Sequence, residues 1–441
     1  MRRPLDWRLD PPAMLTRWPE DRRVVLLHSG RFESRWARRS IIAEPAGVYR
    51  FTNAGSSWTG GDCPVPEFSH KPFTDLRRLL DAGRGLWIGH LGYDLARWIE
   101  QLPTIAAEDP SWPVIELGYC PGHLVHDGAT GRWTAHGTYA RRLPELVDPA
   151  APGSAVICEP ASLFDRAGYE AAVQRVLEYV AAGDVFQVNL AQRFESQFDG
   201  PFPSAHRSLF GHLSTLSPAW YGAYLELGAR RSIASTSPEL FLEVDRSGQV
   251  VTRPIKGTRP AQVDVEVLRR SAKDQAELNM IVDLMRNDLG RVCAYGSIRV
   301  PEPRRIETHP TVHHGVATIT GRLHERFDVV DLLRATMPGG SVTGAPKVRA
   351  MQIIDELEPV RRGPYCGCIG MLSREHTCLN IAIRTMLLDG DHGRVRFSVG
   401  GGIVADSCPA AEHEETLDKA QAMLGALKAA AQVHEMLGSR G

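Results

Sequence analysis

The chain has 441 residues, with 51 Lys and Arg against 52 Asp and Glu and a sequence pI near 7. That balance gives no electrostatic reason to expect nucleic acid or an anionic membrane surface as partner. The length suits one large intertwined domain or two ordinary ones, and no apolar run is long enough to span a bilayer.

The start, Met1-Arg2-Arg3-Pro4-Leu5-Asp6, lacks the apolar stretch of a secretory signal. The eight cysteines are scattered, with only Cys366 and Cys368 close together, which fits neither a zinc site nor a disulfide framework. Reduced thiols in a cytoplasmic protein are expected.

From Val24 to about Trp133 short apolar runs alternate with turns; Val24-Val25-Leu26-Leu27 and Gly85-Leu86-Trp87-Ile88-Gly89 read as strands. The glycines of Gly89-His90-Leu91-Gly92-Tyr93 point to close backbone contact. The Pro-, Ala- and Gly-rich stretch Pro144 to Ser154 reads as a linker, dividing a segment 1–150 from a segment 156–441. No segment repeats at a fixed period, which excludes a solenoid. Asp165 can cap a helix whose Tyr169, Val173, Val176 and Val180 share a face, with Gly183 ending it. Val185 to Phe194 alternates, placing Phe186, Val188 and Leu190 on one side of a strand and Gln187, Asn189 and Ala191 on the other.

Next comes Arg253-Pro254-Ile255-Lys256-Gly257-Thr258-Arg259-Pro260, placed by the pattern at a strand-to-helix passage. Pro254 fixes the backbone before Lys256, and Gly257 permits close approach to a ligand. Ile255 and Thr258 can desolvate the amine, although for this stretch alone a solvated surface lysine is the better reading.

Helices are expected over Asp274 to Leu289, over Ala345 to Leu357 with Pro346 near its start, and from about Ala410 to Leu437. Leu379 to Leu388 and Arg394 to Val399 alternate across Asp389-Gly390-Asp391-His392-Gly393, a hairpin pattern that sets Arg384 opposite Ile381 and Ile383. There it can grip a carboxylate. Hairpins mixed with long helices argue an α+β fold.

Asp274 and Glu277 share one helix face, and Glu412 and Glu415 repeat that spacing, with Lys419 one turn on. Two such pairs suit Mg²⁺, with Glu277 and Glu415 close to the metal or its waters and Asp274 and Glu412 behind; solvated helix charge accounts for either pair alone. Gly400-Gly401-Gly402 can converge N–H groups on an anion, or be a flexible turn. Ser341-Val342-Thr343-Gly344-Ala345-Pro346-Lys347 opens a helix, as an anion site or an ordinary Thr cap. Tyr365 precedes another glycine-rich strand.

These stretches, together with Ser237-Pro238-Glu239-Leu240-Phe241, Met280-Ile281-Val282-Asp283-Leu284, Arg286-Asn287-Asp288, Pro338-Gly339-Gly340 and Ile403-Val404, resemble the chorismate-utilising enzymes. The resemblance is dense from about Asp165 to Leu427 and looser before. It implies two intertwined halves of antiparallel sheet flanked by helices, closing a cleft for Mg²⁺ and chorismate. Family members that add water at C2 carry a general-base lysine where this chain has Gln187. Those that form anthranilate carry alanine where it has Lys256, and those that form aminodeoxychorismate carry lysine.

The implied activity is therefore amination at C4, giving 4-amino-4-deoxychorismate for p-aminobenzoate and folate synthesis. Lys256 is the implied nucleophile and Glu239 the general acid and base. Gly257, Thr258, Thr343, Tyr365, Arg384, Gly400, Gly401, Gly402 and Lys419 are the implied substrate contacts. His314 matches an active-site histidine, with a satisfied core histidine as the other reading. The rivals are anthranilate formation and a non-catalytic homologue that senses chorismate. No Gly-x-Cys-x-Gly elbow occurs, so a separate glutamine amidotransferase subunit is implied as the source of ammonia. The first segment corresponds to a tryptophan-site region near Ser29 and Pro218. His28 stands there in place of the usual glutamate and Trp220 forms a wall, so tryptophan binding is not carried over.

Overall fold

The computed structural model of the chain describes residues 2–149, 153–309 and 312–438. Residues 150–152 of the expected linker lie outside the described residues. Helices begin where the sequence supplies caps. Asp165 accepts from the Gly168 N–H at 2.6 Å and starts Arg166–Ala181, which buries Tyr169, Val173 and Val176. Gly183, at φ +82°, makes the left-handed turn beyond it. Ser271 caps Ala272–Gly290, and Asp328 and Asp331 cap Val329–Thr336 reciprocally. Pro346 is the N-cap of Lys347–Leu357 rather than a residue inside it.

Among the described residues the strands form two antiparallel sheets, of thirteen and eleven strands. The first runs from Arg2–Leu5 through Arg132–Gly137, Gly122–Asp127, Arg39–Ala43 and Val25–His28 to Tyr221–Leu225. It continues through Arg231–Ser237, Thr385–Asp389 and Arg394–Ile403 to Gln187–Asp199. The second begins with Ile255–Pro260 at its edge, then Val312–Arg322, Gln249–Arg253, Leu240–Asp245, His376–Ile381 and Cys368–Leu372. Leu86–Leu91, Ile115–Cys120, Gly47–Thr52 and Gly55–Gly60 continue it, and Arg299–Thr308 pairs with Val312–Arg322 off this path. The fold is α+β, as the sequence implies, and strands from the first 140 residues enter both sheets.

The sheets pack face to face. Val25, Ala223, Ile233 and Leu387 of the first meet Val48, Ile88, Cys120 and Ile369 of the second. Ser204–Leu216 and Pro409–Gly438 cover the outside of the first sheet through Leu209, Phe210, Leu213 and Met423. Ala272–Gly290 and Val329–Thr336 cover the second through Leu278, Ile281, Met285 and Leu333. Among the described residues no helix is long and apolar enough to cross a membrane.

Two expectations need correction. Phe186 does not share the buried face of Val188 and Leu190; it precedes the strand Gln187–Asp199 and is 72% exposed. Leu379 to Leu388 is not one strand. His376–Ile381 belongs to the second sheet and Thr385–Asp389 to the first, and Arg384 turns between them at φ +50°. The chain makes the opposite passage at Pro238-Glu239, between Arg231–Ser237 and Leu240–Asp245. Hydrogen bonds lace the two passages together. The Ile381 N–H donates to the Glu239 carbonyl at 3.1 Å, the Thr236 N–H to the Arg384 carbonyl at 3.0 Å, and Ser237 Oγ to the Ile381 carbonyl at 2.6 Å.

Candidate active site

The stretch around Lys256 is itself the edge strand Ile255–Pro260, not a passage into a helix. Its register against Val312–Arg322 shifts between Ile255, opposite Val316, and Thr258, opposite His314, so Lys256 and Gly257 form an irregularity. Such a bulge re-aims side chains that the pleat alone would alternate. Gly257 adopts φ +78°, and a Cβ there would stand 2.9 Å from Asp274 and Leu268 side-chain atoms. Only glycine meets both conditions without strain. Lys256 Nζ lies 3.2 Å from where a Gly402 Cβ would stand, which places it between the two sheets. Burial lowers the pKa of its amine; Glu277, Glu239 and Glu415 oppose that shift, and Lys419 reinforces it.

Glu239 occupies the first passage between sheets, 4% exposed. Ser341 Oγ donates to its Oε1 at 2.5 Å. Burial pushes its carboxyl up to about 7, with Ser341, Lys256 and the Ile255 N–H pulling the other way. A carboxyl titrating there can give a proton near neutrality and take one back. Ser341 belongs to a motif recognised in the sequence, but the pattern shows only a helix start and not this hydrogen bond.

Arg384, in the second passage, has no carboxylate partner among the described residues. Desolvation pushes its guanidinium down to about 10. It remains a cation, enclosed and ready for an anion. Its Nη2 lies 3.5 Å from His314 Nε2, while His314 Nδ1 is 2.9 Å from Thr258 Oγ1. Guanidinium nitrogens only donate, so His314 Nε2 accepts and its Nδ1–H donates to Thr258. Burial holds His314 well below the usual imidazole range, with Arg384 and His309 adding to the shift, so the ring is neutral.

The carboxylate pairs occupy the same region. Asp274 accepts from Arg259 Nη2 at 2.8 Å, Glu412 from Ser407 Oγ at 2.6 Å, and Glu415 pairs with Lys419 at 2.7 Å. Burial raises Glu277, with Asp274 and Glu412 adding to it, and burial with Glu415 raises Glu412. Burial acts upward on Glu415 too, but Lys419 outweighs it and holds that carboxyl below its usual range. Among the described residues no three His, Cys, Asp or Glu side chains form a metal-holding group by themselves. The donor chemistry still suits Mg²⁺, which takes one or two carboxylates and keeps several waters. Glu277 has no hydrogen-bond donor among the described residues and is raised by its acidic neighbours, a repulsion that a divalent cation relieves. Asp274 and Glu412 are already held by Arg259 and Ser407.

Other expected contacts divide. Gly400, Gly401 and Gly402 do not curl into an anion nest; they are extended residues of Arg394–Ile403, opposite Ala191, Leu190 and Asn189. Their lack of side chains has a different cause. A Cβ on Gly401 would stand 3.1 Å from Glu412 Oε2, and one on Gly402 only 2.7 Å from Gln187 Nε2. Lys419 Nζ donates to the Gly400 carbonyl at 2.7 Å. The Thr343 hydroxyl donates to the Gly339 carbonyl at 3.0 Å, so it is engaged with its own turn. Tyr365 is buried beside Arg362, which also bonds Glu358 at 2.6 Å and the Asn189 carbonyl at 2.6 Å. Arg259, as partner of Asp274, was not legible beforehand, because an arginine inside a basic motif carries no sign of its partner.

In the first segment, the Gly30 N–H donates to the Ala219 carbonyl at 2.8 Å, joining the two walls expected near Ser29 and Pro218. The Trp220 ring lies 4.9 Å from His309 and 5.7 Å from the Arg253 guanidinium. Burial pushes His28 down to about 4, so its ring is neutral.

Residues 28–425 match the chorismate binding enzyme family. The chain is 40% identical over 435 residues to aminodeoxychorismate synthase component 1 of Escherichia coli (strain K12), covering 92% of this chain and 93% of that protein. It is 38% identical to anthranilate synthase component 1 of Thermus thermophilus, over 78% of this chain and 77% of that one. Among solved structures, anthranilate synthase component I from Streptococcus pneumoniae superposes with a TM-score of 0.75 at 29% identity, covering 89% of this chain and 94% of the other.

Proposed function

The chain belongs to the family of chorismate binding enzymes, and we propose that it aminates chorismate at C4 to 4-amino-4-deoxychorismate. Ammonia comes from a separate glutamine amidotransferase subunit, and the product serves p-aminobenzoate and folate synthesis. The observation that carries this reading is the recessed Lys256 amine beside a Glu239 carboxyl raised to about 7. One supplies a lone pair and the other a proton at the same pH.

The Lys256 lone pair forms a bond to C2, the ring double bonds shift, and the C4–O bond breaks. Glu239 gives its proton to the departing oxygen, which leaves as water, and Glu239 becomes a carboxylate. Ammonia then bonds to C4, the double bonds return, and the Lys256–C2 bond breaks. Glu239 takes the surplus proton from the incoming nitrogen. Arg384, free of any carboxylate partner among the described residues, receives a substrate carboxylate, and neutral His314 fixes its orientation. Glu277 and Glu415 would hold Mg²⁺, with Asp274 and Glu412 behind them. When bound, the ion anchors the ring carboxylate and draws electron density from the ring.

The test is chromatographic identification of the product from chorismate, Mg²⁺ and ammonium. Formation of 4-amino-4-deoxychorismate is expected, with none from glutamine when the chain is alone. Anthranilate as the product, or no turnover, rejects the reading. Lys256→Ala should lose C4 amination by a factor on the order of 10³ or more, since a covalent route disappears. Lys256→Arg should fail as well, because guanidinium stays charged and cannot attack.

A further inference from the structure

Gln187 opens the long strand Gln187–Asp199 and is fully buried. Its backbone is opposite Ala345, but its side chain stands apart: neither Oε1 nor Nε2 has a hydrogen-bond partner among the described residues. Sequestering both ends of a carboxamide unpaired is costly and uncommon. The location explains what such a group faces. A Cβ on Gly402 would stand 2.7 Å from Gln187 Nε2 and 3.2 Å from Lys256 Nζ, so the two side chains flank the same bare glycine. Lys256 Nζ likewise makes no hydrogen bond to any described residue. An idle carboxamide and an idle amine thus flank one glycine in a buried site.

We infer that Gln187 is a positioning residue for Lys256, its carboxamide oxygen accepting an N–H of the Lys256 amine and so aiming the nitrogen lone pair at the substrate. This rests on the reading of Lys256 as nucleophile. A neutral amine carries two N–H groups and one lone pair, and fixing one N–H restricts where the lone pair points. The last torsion of a glutamine is broad, so Oε1 reaches this orientation without leaving a favourable rotamer. As the Nζ–C2 bond forms, the nitrogen gains positive charge while keeping its protons, and the bond to Oε1 strengthens. The glutamine neither gains nor loses a proton. The contact is thus stronger in the transition state than before it, which speeds attack rather than tightening substrate binding.

The test is rapid-quench mass spectrometry of the full chain with chorismate and Mg²⁺ and without ammonium, following the Lys256 adduct. Gln187→Leu keeps the size and removes both polar ends. Adduct formation should slow by about tenfold to a hundredfold, the range for one hydrogen bond to a charged group. The KM values for chorismate and ammonium should stay within about threefold, the pattern of a lost transition-state contact. An unchanged adduct rate overturns the inference. So does a raised ammonium KM with adduct formation intact, which would assign the carboxamide to ammonia. If Gln187→Leu fails to fold, Gln187→Met keeps the unbranched length without an amide oxygen and should slow the adduct in the same way; a normal adduct rate there equally overturns the inference. Wild-type protein that forms neither adduct nor C4-aminated product removes the functional reading itself. Wild-type adduct alongside an unaffected Gln187→Leu removes only the role of Gln187.

Discussion

Lys256 and Glu239 share one enclosed space, and burial moves their pKa values toward each other from opposite ends of the scale. The amine is lowered and the carboxyl raised to about 7. Each charge stabilises the other, but desolvation is the largest influence on both. A raised carboxyl pKa means that the folded state prefers the proton. Stability contributed by Glu239 is therefore complete below its unfolded value and lost as pH rises through about 7. Glu239→Gln should lose turnover by about 10²–10⁴-fold yet gain thermal stability relative to wild type above pH 7. The wild-type fall in rate above neutrality should vanish in that variant; a pH–rate series together with melting curves at pH 6 and 8 checks both. Glu277 has a distinct task. Glu277→Gln should fold normally and raise the Mg²⁺ requirement by about tenfold or more, a large share of the affinity in a site that uses one or two carboxylates. Magnesium titration of activity and of chorismate binding measures it, and an unchanged requirement rejects Glu277 as a ligand.

At the scale of elements, the site depends on three interruptions of regular structure: the bulge at Lys256 and Gly257 and the passages at Glu239 and Arg384. Gly257→Ala forces a Cβ into the left-handed region and against Asp274, 2.9 Å away. Its stability cost should be about 1–3 kcal/mol, with a larger loss of activity because Lys256 is displaced. Denaturant unfolding and adduct yield check the two parts separately. These interruptions also mark the limit of what the sequence discloses. The cap at Asp165, the hairpin across Asp389 to Gly393 and the last helix are local, and periodicity finds them. Ile381 to Thr385 looks like continuous alternation, because switching sheets leaves neighbouring residues apolar and buried. Three glycines in a row read as an anion nest, whereas they clear space for Gln187 and Glu412, contacts set by distant segments. The motifs identified Lys256, Glu239 and Arg384 as a group, but their convergence is a property of the two-sheet packing.

At the scale of the whole molecule, strands of the two segments interleave in both sheets. Val25–His28 pairs with Tyr221–Leu225 on one side and Arg39–Ala43 on the other, and Leu86–Leu91 lies between Cys368–Leu372 and Ile115–Cys120. These are interior strands of the two sheets. Removing residues 1–150 would expose the backbones of Tyr221–Leu225 and Cys368–Leu372 along two new edges. It would also uncover the partners of Val25, Leu26, Ile42, Val48, Trp87, Ile88 and Leu91, each at most 1% exposed. At about 1.5–3 kcal/mol for each buried apolar side chain, that loss is comparable to the whole net stability of an ordinary domain, about 5–15 kcal/mol. Residues 156–441 expressed alone should therefore be insoluble or lack cooperative unfolding, although they carry Lys256, Glu239, Arg384 and all four expected metal-site carboxylates. Supplied as a separate chain, residues 1–150 should restore folding, because the pairing surfaces persist and only the connecting residues 151–155 are missing. Co-expression followed by co-purification and adduct formation measures the restoration. A soluble 156–441 fragment that unfolds cooperatively and forms the Lys256 adduct without its complement would show that the shared sheets are not what holds the site together.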